Sequence, residues 1–199
     1  MYSGITDKGL EALAKCCSET VDLSGSDSIT DSGISFLIKN CSKLDTLSIR
    51  FCRKISGIGF LGCPQTLTNL EAKGCRFIPE GISAIVSGGG LECLSFSSVN
   101  NEEVWILSKG CPLLKKLDLS NCEDIELQGW EAIGRNCKNL EHLYVYRCKK
   151  LSDLGLEALG NGCDKLSKIF VGDENSCSSS GLEIFKRKKP DVMFVMYGE

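Results

Sequence analysis

Histidine, basic excess, long apolar runs and closely spaced cysteine pairs are all scarce or missing in this sequence of 199 residues. There is one histidine, His142, so a Cys–His or Ser–His mechanism would depend wholly on it, and no catalytic residue and no enzyme are expected. A formal net charge of -3 lacks the basic excess of a general nucleic-acid binder. No apolar run approaches the roughly 20 residues needed to cross a bilayer, so no membrane span is expected. The start, Met1-Tyr2-Ser3-Gly4-Ile5-Thr6-Asp7, lacks the charged-then-apolar order of a signal peptide. No C-x-x-C pair is present, so neither a metal site nor a cofactor is expected.

What remains is a globular composition, 42% hydrophobic and 25% charged, with thirteen cysteines. The odd cysteine count, the start without a signal and a length sufficient for an apolar core argue against a disulfide framework. Reduced thiols and a cytoplasmic or nuclear location are the expectation.

The cysteines are periodic. Cys111, Cys137 and Cys163 stand 26 residues apart and open similar segments, Cys111-Pro112-Leu113-Leu114-Lys115-Lys116-Leu117-Asp118-Leu119 among them. Cys41-Ser42-Lys43-Leu44-Asp45-Thr46-Leu47-Ser48-Ile49 matches too. A second cysteine follows eleven residues later at Cys52, Cys122 and Cys148. Next come Ile or Leu, Ser/Thr-Asp and Gly before an apolar stretch, as in Ile29-Thr30-Asp31-Ser32-Gly33-Ile34 and Leu151-Ser152-Asp153-Leu154-Gly155-Leu156. Leu117-Asp118-Leu119 and Leu143-Tyr144-Val145 alternate like a strand with one buried face. Gly155-Leu156-Glu157-Ala158-Leu159 has helical spacing. Asn40, Gly62, Gly110, Asn136 or Gly162 precedes the opening cysteine, where a left-handed helix-ending residue is expected. Each unit therefore reads strand, turn, helix, cap. Stacked units should give an α/β solenoid with a curved parallel sheet on the concave face and helices on the convex face. First core positions at Val21, Leu47, Leu70, Leu94, Leu117, Leu143 and Ile169 give steps of 26, 23, 24, 23, 26 and 26.

The pattern C-x-x-L-x-x-L-x-L-x-x-C-x-x-[IL]-[ST]-[DG]-x-G-[LI] resembles the cysteine-containing leucine-rich repeats of plant-type F-box/LRR proteins. The likeness implies one leucine-rich-repeat solenoid over residues 1–199, with about seven to eight repeats, and a C-terminal capping segment at 190–199. It also implies a substrate-receiving arc of a ubiquitin ligase, with a Skp-type adaptor docking on an F-box. No F-box is visible, and the chain begins within a repeat, at Ile5-Thr6-Asp7. The expectations are therefore a piece of a longer receptor or a repeat-only relative. An adaptor of signalling or immunity without a ligase link is the alternative, followed by an enzyme-inhibitor-like solenoid, whose 28–29-residue repeats fit less well.

Other motifs have plain readings. Cysteines spaced along a solenoid suit packing columns rather than a metal site. Cys16-Cys17 is an adjacent pair, and Cys93 and Cys177 fall outside those columns; these are the candidates for any reactive thiol. Gly57-Ile58-Gly59-Phe60-Leu61-Gly62 matches a dinucleotide fingerprint in letters only, and reads as a shortened helical segment. Gly88-Gly89-Gly90 lacks the Lys-Ser/Thr of a phosphate loop. Asn40-Cys41-Ser42 is a formal glycosylation sequon at a capping slot. Lys186-Arg187-Lys188-Lys189 reads as a solvated helix end, where cations are favourable.

Alternation along the strands puts Thr20, Asp22, Ser24; Thr46, Ser48, Arg50; Asn69, Glu71, Lys73; Cys93, Ser95, Ser97; Lys116, Asp118, Ser120; His142, Tyr144, Tyr146; and Lys168, Phe170 on the open face. Its middle is small and polar, whereas aromatics crowd towards the C-terminal end. Tyr and Arg are enriched among binding hot spots. The expected partner is a protein on the concave face, contacting Arg50, Lys116, His142, Tyr144, Tyr146, Lys168 and Phe170. Tyr144, Tyr146 and Phe170 would be the anchors, and Arg50, Lys116 and Lys168 would meet acidic groups. The competing expectation is that Val192-Met193-Phe194-Val195-Met196-Tyr197 covers these aromatics.

Overall fold

A computed structural model of the chain describes residues 5–14, 19–172 and 174–196, with the side chain of Leu13 excepted. Cys16 and Cys17 lie outside the described residues. The chain divides into two compact units, Met1–Phe96 and Ser97–Glu199.

In the N-terminal unit the order is α1 (Asp7–Ala14), β1 (Thr20–Asp22), α2 (Asp31–Asn40), β2 (Thr46–Ser48), a 3-10 turn (Ile58–Phe60), β3 (Asn69–Glu71), α3 (Pro79–Val86) and β4 (Cys93–Ser95). Its four strands are parallel and in register, so that Leu47, Leu70 and Leu94 stand side by side. All three are buried, together with Ile34, Leu37 and Ile38 of α2. The strands are three residues long, and alternation leaves their flanking residues partly exposed. Val21, at the core position of β1, is only half-buried.

The C-terminal unit repeats the scheme with longer helices: α4 (Asn101–Gly110), β5 (Lys116–Asp118), α5 (Leu127–Asn136), β6 (His142–Val145), α6 (Asp153–Gly162), β7 (Lys168–Val171), α7 (Ser179–Lys188) and β8 (Met193–Met196). Strands β5 to β8 are again parallel, aligning Leu117, Leu143, Ile169 and Phe194. The α/β leucine-rich-repeat architecture expected from the periodicity is thus present in both units, each with four parallel strands alternating with helical segments among the described residues.

Both cysteine columns are structural. Cys41, Cys111, Cys137 and Cys163 follow the last helical residue, and their amides donate to Leu37, Leu107, Ile133 and Leu159. The second column sits at the turn after each strand. There the Cys52, Cys75 and Cys148 thiols donate to the carbonyls of Leu23, Ile49 and Leu119 one repeat back, at 3.1, 3.0 and 3.2 Å. Ser26 and Val99 occupy this buried position in two of the repeats that lack the cysteine. Among the described residues no disulfide is formed. Burial pushes the Cys63 thiol up to about 11 and those of Cys75 and Cys163 up to about 12, which keeps them protonated and able to donate. Cys177 belongs with them in chemistry. Its thiol donates to Leu151 O at 3.2 Å, and burial raises it to about 12.

The left-handed residues lie elsewhere than expected. Of the five helix-ending positions, only Gly62 has positive φ, at 83°. Asn40, Gly110, Asn136 and Gly162 are the last helical residues, and the two asparagines donate to Phe36 O and Ala132 O. Gly162 is small for a steric reason: a Cβ there would stand 1.9 Å from Gly134 O. Positive φ falls instead just before the second cysteine position, at Gly25, Phe51, Gly74, Ser98, Asn121 and Arg147. The strand-to-turn corner is what requires it.

The Ser/Thr-Asp signature is a link between repeats. The Asp7 carboxylate accepts from the Thr30 amide and hydroxyl at 3.0 and 2.7 Å. Asp153 does the same for Ser178 at 2.7 and 2.6 Å. Asp31 accepts from the Ser56 amide and hydroxyl and from the Gly57 and Gly59 amides, so it organises the 3-10 turn that stands where a helix would be. Burial disfavours ionised Asp31, but these donors outweigh it and hold the carboxyl below its ordinary range. The Gly57–Gly62 segment is therefore a capped short turn, as its place between repeats suggested.

Candidate functional site

The open face of the C-terminal unit gathers six of the seven candidate residues. Strands β5, β6 and β7 bring Lys116, His142 and Lys168 to one register row, and Asp118, Tyr144 and Phe170 to the next. The Leu and Ile residues between them are fully buried, and this fixes which way the pleat turns the two rows. His142, Tyr144, Tyr146, Lys168 and Phe170 are half-buried and Lys116 is exposed.

Tyr144 and Phe170 stack face to face across the two strands, with ring centroids 4.1 Å apart and planes within 4°. His142 meets Phe170 edge-on at 6.3 Å. Arg147 lies over the Tyr146 ring at 5.2 Å and pairs with Glu174 at 3.9 Å. Tyr146 also rests against Gly172, where an added Cβ would approach its ring to 2.8 Å. The His142 imidazole is held below its ordinary range, first by partial burial and then by the neighbouring Lys116 and Lys168 charges, with Glu141 opposing. Neither lysine forms an ion pair among the described residues.

Arg50 belongs to the N-terminal unit, where it approaches Glu71 of the adjacent strand at 3.8 Å. Ser120, expected on the open face, is buried at 7% exposure. It sits at the strand-to-turn corner, its amide donating to Asp118 Oδ1 and the next amide, of Asn121, donating to Tyr146 O.

The described part of the C-terminal segment continues the sheet beside the aromatics, and Tyr197 lies outside the described residues. Met193–Met196 pairs alongside β7, placing Met193 next to Lys168 and Val195 next to Phe170, and so widens the same face. Phe194 meets Phe185 edge-on at 5.3 Å. The signal was available, because Phe194 lies 25 residues beyond Ile169, within the spread of the earlier steps. The Arg147–Glu174 pair had no such signal, since it joins two turns.

The leucine-rich-repeat family model matches residues 110–134 and 136–160, the segments that carry β5, most of α5, β6 and most of α6. The chain carries leucine-rich repeats in those segments. It is similar to the F-box/LRR-repeat protein 12 of Arabidopsis thaliana, at 37% identity over 82 residues. That alignment covers 39% of this leucine-rich-repeat chain and 21% of the relative, so the chain matches about a fifth of that protein's length. Among solved structures, an internalin from Listeria monocytogenes superposes with a TM-score of 0.55 at 13% identity, over 89% of this chain and 54% of that one. This likeness is one of fold. A chain of the yeast Rad7–Elc1 complex gives a TM-score of 0.38 at 15% identity, over 96% of this chain and 72% of that one, and adds nothing to the assignment.

Proposed function

We propose that this leucine-rich-repeat chain is a non-catalytic protein-binding module that receives its partner on the open sheet face of the C-terminal unit. The observation that carries this is the Tyr144–Phe170 stack, half-exposed and bordered by Lys116, His142 and Lys168. Aromatic groups held rigid by their neighbours bind at little further entropic cost, and they dominate interface energetics. The buried, protonated thiols suit packing and hydrogen bonding rather than nucleophilic chemistry.

The finer reading is the substrate-recognition region of an SCF-type ubiquitin-ligase receptor in the cytoplasm or nucleus. The repeat likeness to an F-box/LRR protein supports it. A Skp-type adaptor would then be a partner through an F-box outside these residues.

Affinity capture from a cell extract followed by mass spectrometry, comparing wild type with Tyr144→Ala/Phe170→Ala, tests both levels. A partner that weakens at least about tenfold in the variant supports the binding face. Co-recovery of adaptor and cullin components supports the ligase role. A partner captured without them points to a stand-alone adaptor. Undiminished capture by a variant with an unchanged circular dichroism spectrum overturns the proposed face.

A further inference from the structure

The way the aromatic plate is mounted has a chemical consequence. Tyr144 and Phe170 are register partners on neighbouring strands, and their rings are parallel at 4.1 Å. The stack axis therefore runs from strand to strand, and the ring edges, not the faces, point away from the sheet. The Phe170 face directed away from Tyr144 looks towards Val195 of β8. An aromatic ring carries its negative charge on the face and its positive charge on the edge. What this plate offers outward is thus a positive rim.

Two residues back along each strand, on the same face, stands the row Lys116–His142–Lys168, spanning two strand spacings, roughly 10 Å. The lysines are on the flanking strands and converge in charge on the imidazole between them. This local cationic row belongs to a chain whose net charge is -3, so it is not a sample of the general surface. The carboxylate on the same face, Asp118, is turned to its own turn, its Oδ1 accepting from the Ser120 amide. Three cations at the neighbouring turns are already paired: Arg147 with Glu174, Lys149 with Glu123 and Lys150 with Glu126.

Building on the protein-binding face proposed above, we infer that the Lys116–His142–Lys168 row is a subsite for an acidic peptide segment of the protein partner, whose carboxylates lie across the row while the Tyr144–Phe170 rim borders them. Binding there is coupled to proton uptake by His142. The charged groups acting on the imidazole are Lys116 from β5, Lys168 from β7 and Glu141 just before its own strand, and the two lysines disfavour its protonated form. A carboxylate set against the row neutralises that repulsion and favours imidazolium. Affinity therefore rises as pH falls from 8 to 6, a range in which the carboxylates of the peptide stay ionised.

His142 is the sole histidine of the chain, so its ring protons give an unambiguous NMR titration. The probes are a fluorescent Tyr-(Glu)6 peptide and its Tyr-(Gln)6 counterpart, titrated against the full chain. The expected result is binding of the glutamate peptide at least about tenfold tighter than the glutamine peptide, weakened by salt. The His142 titration midpoint should lie below 6.5 in the unliganded protein and move up on binding. Lys116→Gln/Lys168→Gln should abolish the preference for glutamate and raise the midpoint of the unliganded protein. Equal binding of the two peptides, no binding of either at millimolar concentration, or a midpoint indifferent to the peptide overturns the inference. If extract capture is lost in Tyr144→Ala/Phe170→Ala but kept in Lys116→Gln/Lys168→Gln, the protein-binding face stands and only the acidic subsite falls.

Discussion

Strands β2 to β4 of the N-terminal unit present Thr46, Ser48, Asn69, Glu71, Cys93 and Ser95 at the positions where β5 to β7 present Lys116, Asp118, His142, Tyr144, Lys168 and Phe170. Beneath these very different faces the framework is the same. Leu47, Leu70, Leu94, Leu117, Leu143 and Ile169 are all buried at the central strand position, and the turn cysteines donate back to the previous repeat in both units. The helical sides differ as well: the C-terminal unit has four ten-residue helices, whereas one repeat of the N-terminal unit has a 3-10 turn in place of a helix. Folding depends on the shared positions, so the face residues are released from it and can be chosen for binding.

The sharpest way to break this comparison uses two residues at one repeat position. Trp130 on α5 and Phe60 on the 3-10 turn each follow a glycine, Gly129 or Gly59, and both are fully buried. If the framework is equivalent, Trp130→Ala and Phe60→Ala each cost about 3–5 kcal/mol in denaturant unfolding. A small effect at Phe60 alone would show that the short repeat is loosely packed. Trp130 Nε1 is buried without a hydrogen-bond partner among the described residues, so Trp130→Phe should cost roughly half of the alanine change or less.

Next in size is the carboxylate that organises the short repeat. Asp31→Ala removes an acceptor of four hydrogen bonds and should cost about 2 kcal/mol. The folded-state pKa of Asp31 is depressed, so its contribution is fully present above the unfolded value of about 3.9 and is lost as pH falls through the folded value. The difference in melting temperature between wild type and Asp31→Asn should therefore shrink below about pH 4. A constant difference down to pH 2 would assign the effect to packing.

Smaller still are the turn thiols. Cys52→Ala and Cys148→Ala, one in each unit, should each cost about 1–2 kcal/mol, through a lost donor to a buried carbonyl and a small void. Unequal costs would show that the repeats seat their turns differently. Smallest is Arg50→Ala, which breaks an exposed pair at 3.8 Å and should change stability by no more than about 0.5 kcal/mol.

Much of this was legible in the residues, for definable reasons. Period-two alternation and a cysteine repeat of 26 residues gave the strands, their register and the buried columns, because each unit must bury the same face as its neighbours. The same alternation identified the row containing Lys116, His142 and Lys168 and the row containing Tyr144 and Phe170. The turn geometry was not legible. Left-handed backbone at Phe51, Ser98 and Arg147 falls on residues that seldom adopt it, and there the tertiary turn overrides local preference. The role of the Ser/Thr-Asp signature was hidden too, since its hydrogen bonds reach a residue about 25 positions away. Gly57 to Gly62 could be read as a shortened repeat, but only the coordinates show Asp31 holding it.

The turn thiols also give the molecule a set of native reporters. Each is buried, protonated and engaged with the preceding repeat, so an alkylating reagent can reach it only when that repeat swings away from its neighbour. Labelling rates at Cys52, Cys75 and Cys148 then measure how often successive repeats open, in the manner of hydrogen exchange but one turn at a time. Because the solenoid is quasi-one-dimensional, those rates trace a stability profile along its axis, recorded by the wild-type chain with no probe introduced.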